Sequence, residues 1–184
     1  MSSTLPFLTS RTVALPAGFF SALRSAAGSP DVGALRNAGY AAGADLADAF
    51  GEFLAARGDV PAELLPDDRF GQALAEFLAA SGWGVVHVES LSDAVLAIDA
   101  EAWPEADATQ GATSPACHVG TGLLAGLLGK VADAPLSVLE VECRSAGDTT
   151  CRFLVGSVDV MQYVYEAMAR GVSYASAAAS AAAD

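Results

Sequence analysis

Three cysteines carry most of the chemistry that this sequence offers. Cys117, Cys143 and Cys151 are its only thiols. An odd number argues against a closed disulfide framework, so free or metal-bound thiols are the expected state. Cys117 follows Ser114-Pro115, a capping residue and a proline of the kind that opens a helix. Cys143 ends an alternating stretch, Leu136–Cys143. Cys151 lies at the start of the next, Thr150–Gly156, beyond a turn at Gly147-Asp148. A strand–turn–strand with a cysteine at each base brings two sulfurs together. A helix start can bring the third and lowers its thiol pKa, favouring the thiolate that a metal needs. Glu140, Glu142 and His118 stand beside the cysteines as candidates for a fourth ligand. Three thiolates plus one nitrogen or oxygen suit tetrahedral zinc, and a closed four-ligand shell is structural because it leaves no open position. There is no Cys-x-x-Cys pair, so three separately buried cysteines acting as small hydrophobes are the competing reading.

The elements that must position these residues follow from periodicity and caps. After an irregular lead-in with a short strand at Thr12–Leu15, a helix fits Gly18–Ala27. A longer one starts from Ser29 as N-cap with Pro30 in its first turn and Asp31 at its positive end, and stops before Gly58. Within it Gly39 and Gly43 are four apart, which lets another backbone approach. Asp68–Ser81 reads as an amphipathic helix ended by Gly82. Trp83–Ser90 and Ala94–Ile98 read as a hairpin with its turn at Leu91–Asp93. Residues 104–114 form a loop, and a helix runs from Ser114-Pro115 to about Lys130. After the second hairpin, Asp159 caps a helix from Val160. The tail, 173–184, is alanine and serine and is expected to fray, leaving 1–172 as one domain. Hairpins separated by helices predict an α+β fold, an antiparallel sheet of two hairpins with helices packed on it.

Composition narrows the partners. The 184 residues carry 22 acids against nine basic residues, a formal charge of −13. Such a surface repels nucleic-acid phosphates and anionic membranes, so no nucleic-acid partner is expected. No apolar run approaches the roughly 18 residues of a membrane span. The first residues lack the basic lead of a signal peptide, so the cytoplasm is the expected compartment. Gly120-x-Gly122-x-x-x-Gly126 follows no strand and lacks nucleotide-binding spacing, so it reads as close helix packing. His87-Val88-Glu89 with Pro115-Ala116-Cys117 lacks the Pro-Cys-x-x-Cys run of a zinc deaminase.

The stretch from Ala116 to Phe153 carries a further signal. It reads Cys117-His118-Val119-Gly120, then Gly122 and Gly126, then Leu139-Glu140-Val141-Glu142-Cys143, Gly147-Asp148 and Cys151-Arg152-Phe153. This pattern resembles the 4-vinyl reductase domain family. It is also similar to the aromatic-sensing domains of bacterial phenol- and xylene-responsive transcription activators. The resemblance implies a fold related to haem nitric-oxide-binding domains and transport-particle subunits. It implies a zinc held by three cysteines and a glutamate three residues before the middle one, here Cys117, Glu140, Cys143 and Cys151, with Glu142 or His118 next in line for the fourth place. Strict strand alternation sets Glu140 and Cys143 on opposite faces, so a bulge or the strand end near Val141–Cys143 must re-aim one of them.

The resemblance also implies an apolar cavity between helices and sheet, and Tyr40, Phe77, Trp103 and Val138 are the residues selected to line it. The expected function is that of a stand-alone small-molecule-binding domain with a structural zinc. It would take an apolar aromatic or tetrapyrrole-like ligand and pass signal or ligand to a partner protein. The alternatives are an accessory role in bacteriochlorophyll synthesis, by vinyl reduction or tetrapyrrole delivery, and a dimeric assembly module without ligand. Direct catalysis is not expected, because no flavin or nicotinamide fingerprint accompanies the motif. A homodimer is expected from the transport-particle likeness, with the helix around Phe50 and Phe53 as its face.

Overall fold

A computed structural model describes residues 15–16, 18–26 and 31–181. Helix α1 spans Gly18–Ala26 and α2 spans Val32–Arg57. Asp31, not Ser29, caps α2: its carboxylate accepts from the amides of Gly33 (2.9 Å) and Ala34 (3.3 Å). Ser29 and Pro30 lie outside the described residues, as do Thr12–Ala14 of the expected first strand, and Leu15 is not in a strand. Gly58 ends α2 in the left-handed conformation, φ 76°. Helix α3 spans Asp67–Ala80, with Asp67 and Asp68 at its positive end.

Strands β1 (Val86–Ser92) and β2 (Val95–Ala100) form the first hairpin, turning at Asp93-Ala94, one residue later than expected. Helix α4 (His118–Val131) separates it from β3 (Leu136–Glu142) and β4 (Cys151–Ser157). The four strands form one antiparallel sheet in the order β1-β2-β4-β3, so the hairpins join through β2 and β4. Helix α5 (Val158–Ala169) starts ahead of the Val160 that Asp159 predicts, because Ser157 is the cap and accepts from the Val160 amide.

The sheet is a middle layer. On one face α2, α3 and α4 close a core that includes Phe50, Phe53, Leu74, Phe77, Leu124, Leu127, Ile98 and Phe153. Phe50 and Phe53 are therefore core residues and present no dimer face. On the other face Val95, Ala97 and Leu154 meet Met161 and Val164 of α5. The alanine-rich tail joins this second core. Tyr174–Ser180 is helix α6, capped by Ser173, and buries Ala177 and Ala178. The frayed tail expected from 173 onward is corrected accordingly. Alanine is small enough to lie flat against a sheet, so low side-chain bulk there allows close packing.

The glycines decide how α2 and α4 meet. A Cβ on Gly122 would lie 2.0 Å from the Arg36 carbonyl oxygen, and one on Gly126 would lie 2.2 Å from that of Tyr40. From α2, Gly39 and Gly43 press equally closely on Val119 and Leu123. The spacing of four thus serves backbone contact, as the sequence suggested. The crossing fixes the N-terminal end of α4, where Cys117 stands. Among the described residues no helix is long and apolar enough to cross a membrane.

Candidate metal centre

The start of α4 is built by carboxylates from elsewhere in the chain. The helix begins at His118, later than Ser114-Pro115 predicts, and Cys117 occupies the N-cap position. The Cys117 amide donates to Glu140 Oε2 (2.8 Å). The amides of Val119 and Gly120 donate to the two oxygens of Glu105 (2.9 and 2.7 Å). Helix starts carry unsatisfied amides and a positive dipole end, and two carboxylates answer both here. The Ser114 hydroxyl is not needed.

The second hairpin supplies the rest through a bulge. Down to Glu140, which pairs with Phe153, the β3–β4 register is regular; then Glu142, not Val141, pairs with Arg152. The extra residue resets the alternation, so Cys143 points to the same side as Glu140. Glu142 turns to the opposite face, where its carboxylate accepts from the Tyr174 hydroxyl. The Cys143 amide donates to Asp148 Oδ2 (2.7 Å), and the Arg144 amide points at Cys151 Sγ (3.5 Å), so the tight turn itself holds both sulfurs.

The result is one four-atom cluster. A ligand atom from each of Cys117, Glu140, Cys143 and Cys151 lies within 4.8 Å of all the others. Cys117 Sγ is 3.8 Å from Cys143 Sγ and 4.0 Å from Cys151 Sγ, and all three cysteines are buried. No disulfide links them. Burial pushes the Glu140 carboxyl up to about 8 despite its bonds from Cys117. The Cys143 thiol is driven far down, because the Cys117 and Cys151 thiols both point their donors at it. Cys117 is driven up, with Cys143, Cys151 and burial all favouring its protonated form. Without a cation the cluster thus keeps some of its protons; a bound cation would favour the ionised form of all four groups.

The donor set passes a fit test for a metal. Glu140 Oε1 is buried and has no hydrogen-bond partner, an orphan acceptor aimed among three sulfurs. Three soft donors and one oxygen match a thiophilic divalent ion. Neither alternative for the fourth place belongs to the cluster: Glu142 faces away, and His118 is not among the four residues whose donor atoms converge.

The four residues selected for an apolar cavity are not brought together as a set. Phe77, Trp103 and Val138 share the core between the helices and the sheet. Tyr40 lies on α2 with 52% of its surface exposed. None of the four lines either of two open grooves. One, of about 720 Å3, runs between the end of α2 and the end of α4. The other, of about 680 Å3, lies at the sheet end remote from the cysteines, against Phe70, Leu96, Leu136 and Val155. Trp103 nonetheless has an unusual setting. It is 1% exposed, tilts against Trp83 (5.0 Å between centroids) and Phe153 (5.1 Å), and presses on Gly120, where a Cβ would sit 2.5 Å from its Nε1. That Nε1 donor has no hydrogen-bond partner.

Sequence reasoning missed Glu105, which lies in a stretch read as a polar loop and is only 3% exposed. Its place two residues after Trp103 was the one available hint, because nothing local shows that a loop acid will cap a helix 14 residues on.

Comparisons agree with this geometry. Residues 96–157, from β2 through β4, match the family model of the 4-vinyl reductase domain. The resemblance read from the sequence is shown over that stretch. A vinyl-4-reductase family protein from Methanocaldococcus jannaschii superposes with a TM-score of 0.55 at 20% identity, covering 80% of this chain and 85% of that one. The phenol-responsive sensory domain of the transcription activator PoxR, solved with phenol, gives 0.62 at 17% identity over 86% of this chain and 82% of that one. Trafficking protein particle complex subunit 3 from Naegleria fowleri, covalently bound to palmitic acid, gives 0.55 at 18% identity over 76% and 91%. At these identities the likeness is one of fold, and it shows the α+β fold expected from the sequence. No curated protein matches the sequence.

Proposed function

We propose that this chain is a small-molecule-binding domain, shaped by a structural zinc ion at Cys117, Glu140, Cys143 and Cys151, which takes an apolar aromatic ligand beside Trp103. The observation that carries the reading is the unpartnered Nε1 of a buried Trp103 inside an aromatic cluster. A buried donor without an acceptor costs about 1–3 kcal/mol, and a ligand oxygen between aromatic walls would recover that while burying its ring. The phenol held by the PoxR sensory domain, which shares the fold, supports this ligand class.

Zinc, when bound, supplies positive charge that holds the thiolates ionised and ties the start of α4 to the second hairpin. The chain's own residues do the positioning. Glu105 holds the Val119 and Gly120 amides, Asp148 holds the Cys143 amide, and Trp103 packs on the same first turn of α4. Ligand and metal would therefore act on one helix end, and a change there would be passed to a partner protein.

The test is titration of the zinc-loaded protein with phenol, followed by tryptophan fluorescence in a Trp83→Phe background that isolates Trp103. A saturable change that Trp103→Phe abolishes, with zinc retained at one per chain, is the expected result. Lack of any saturable change with phenol or its alkylated forms would remove the aromatic-ligand reading. A second reading, tetrapyrrole delivery, is favoured by the vinyl-4-reductase family neighbour. A shift in protoporphyrin absorbance on adding the protein, without a phenol response, would select it.

A further inference from the structure

The residues next to two of the candidate ligands do a second job on the opposite face of the sheet. Successive residues of a strand point to opposite sides. Cys151 faces the cluster, so Arg152 faces α5 and α6. The bulge that turns Cys143 inward likewise turns Glu142 outward. These two outward residues meet at one side chain, Tyr174, in the first turn of α6. The Tyr174 hydroxyl donates to Glu142, and Arg152 Nη1 lies 3.4 Å from the same hydroxyl, with its guanidinium 5.9 Å from the ring centroid. Arg152 is itself fixed, bidentate on Asp99 (2.5 Å to each oxygen) and 3.1 Å from Glu89. Beyond Tyr174, α6 is held chiefly by the small side chains of buried Ala177 and Ala178.

We propose that α6 reports occupancy of the metal centre: filling the cluster locks the Val141 bulge, the bulge aims Glu142, and Glu142 with Arg152 clamps Tyr174 and seats the helix. The proposal rests on the zinc reading above. The bulge is the shared element, because one extra residue sets the direction of Cys143 and of Glu142 at once. Without an ion to gather three sulfurs and a carboxylate, the strand is free to slip to regular pairing. That slip would send Glu142 to the cluster side and remove the Tyr174 acceptor. A clamp that prefers one state of the metal site must, by linkage, feed back on metal affinity by the same factor.

Hydrogen exchange read by mass spectrometry tests this on the full chain, with zinc content measured in parallel. Removing zinc should speed exchange of the amides of 175–181 by roughly fivefold or more. Tyr174→Phe in the zinc-loaded protein should speed the same amides while those of α4 stay protected. Its zinc affinity, measured against a chromophoric chelator, should fall by a matching factor. Unchanged α6 exchange on zinc removal would overturn the proposal. So would a Tyr174→Phe protein whose helix is loosened but whose zinc affinity equals that of the parent. The variant stays informative even where the zinc-free chain unfolds as a whole. A parent protein that binds no zinc would instead defeat the metal reading, and the proposal with it.

Discussion

The two faces of the central sheet are made by the same strands and do opposite things. Toward α2, α3 and α4, β4 presents Cys151, Phe153 and Val155; toward α5 and α6 it presents Arg152 and Leu154. The first face is dry. Among the described residues its polar groups include the cluster and the Glu105 carboxylate at the start of α4, each with a buried task. The second face is partly wet: the side chains of Arg152 and Asp99 keep about a fifth of their surface, and their ion pair is a bonded fork in reach of solvent. Burial makes interactions on the first face all-or-none, because a lost partner leaves a desolvated group behind. Hydration lets the second face give way by degrees.

That contrast sets the size of the expected effects. Cys143→Ser on the dry face should abolish stoichiometric zinc and lower stability by several kcal/mol, since metal binding of this kind is folding free energy. Metal analysis with thermal denaturation checks it, and a variant that melts with the parent would break the comparison. Glu105→Ala comes next. It strips two buried amides of their acceptor and should cost about 3 kcal/mol, read by denaturant unfolding. On the other face, Arg152→Met keeps the aliphatic packing and leaves Asp99 and Glu89 to water. Its cost should be about 1 kcal/mol and should shrink as salt is added. A larger loss from Arg152 than from Glu105 would mean that the faces are more alike than their burial suggests.

Much of the fold was legible because its signals are local. Alternation marked the strands, Gly58 and Gly82 marked helix ends, and the four-residue glycine spacing marked the α2–α4 crossing, which the close carbonyl contacts at Gly122 and Gly126 bear out. Cap assignments failed where the capping group is remote. Ser114 yielded to Glu105 and Glu140, because a carboxylate delivered by tertiary packing outcompetes a local hydroxyl for helix amides. The tail failed for a different reason: alanine signals little to bury, yet small residues suit a close helix–sheet contact.

For the cluster, residue types and strand signals named the three sulfurs and predicted a bulge near Val141, because chemistry and alternation are written along the chain. Family resemblance, not spacing, chose Glu140 over its neighbours. Packing alone settled which carboxylate turns inward, where Glu105 goes, and what seats α6. Each of those depends on a register or an approach between segments far apart in the chain, and no local pattern encodes such a distance.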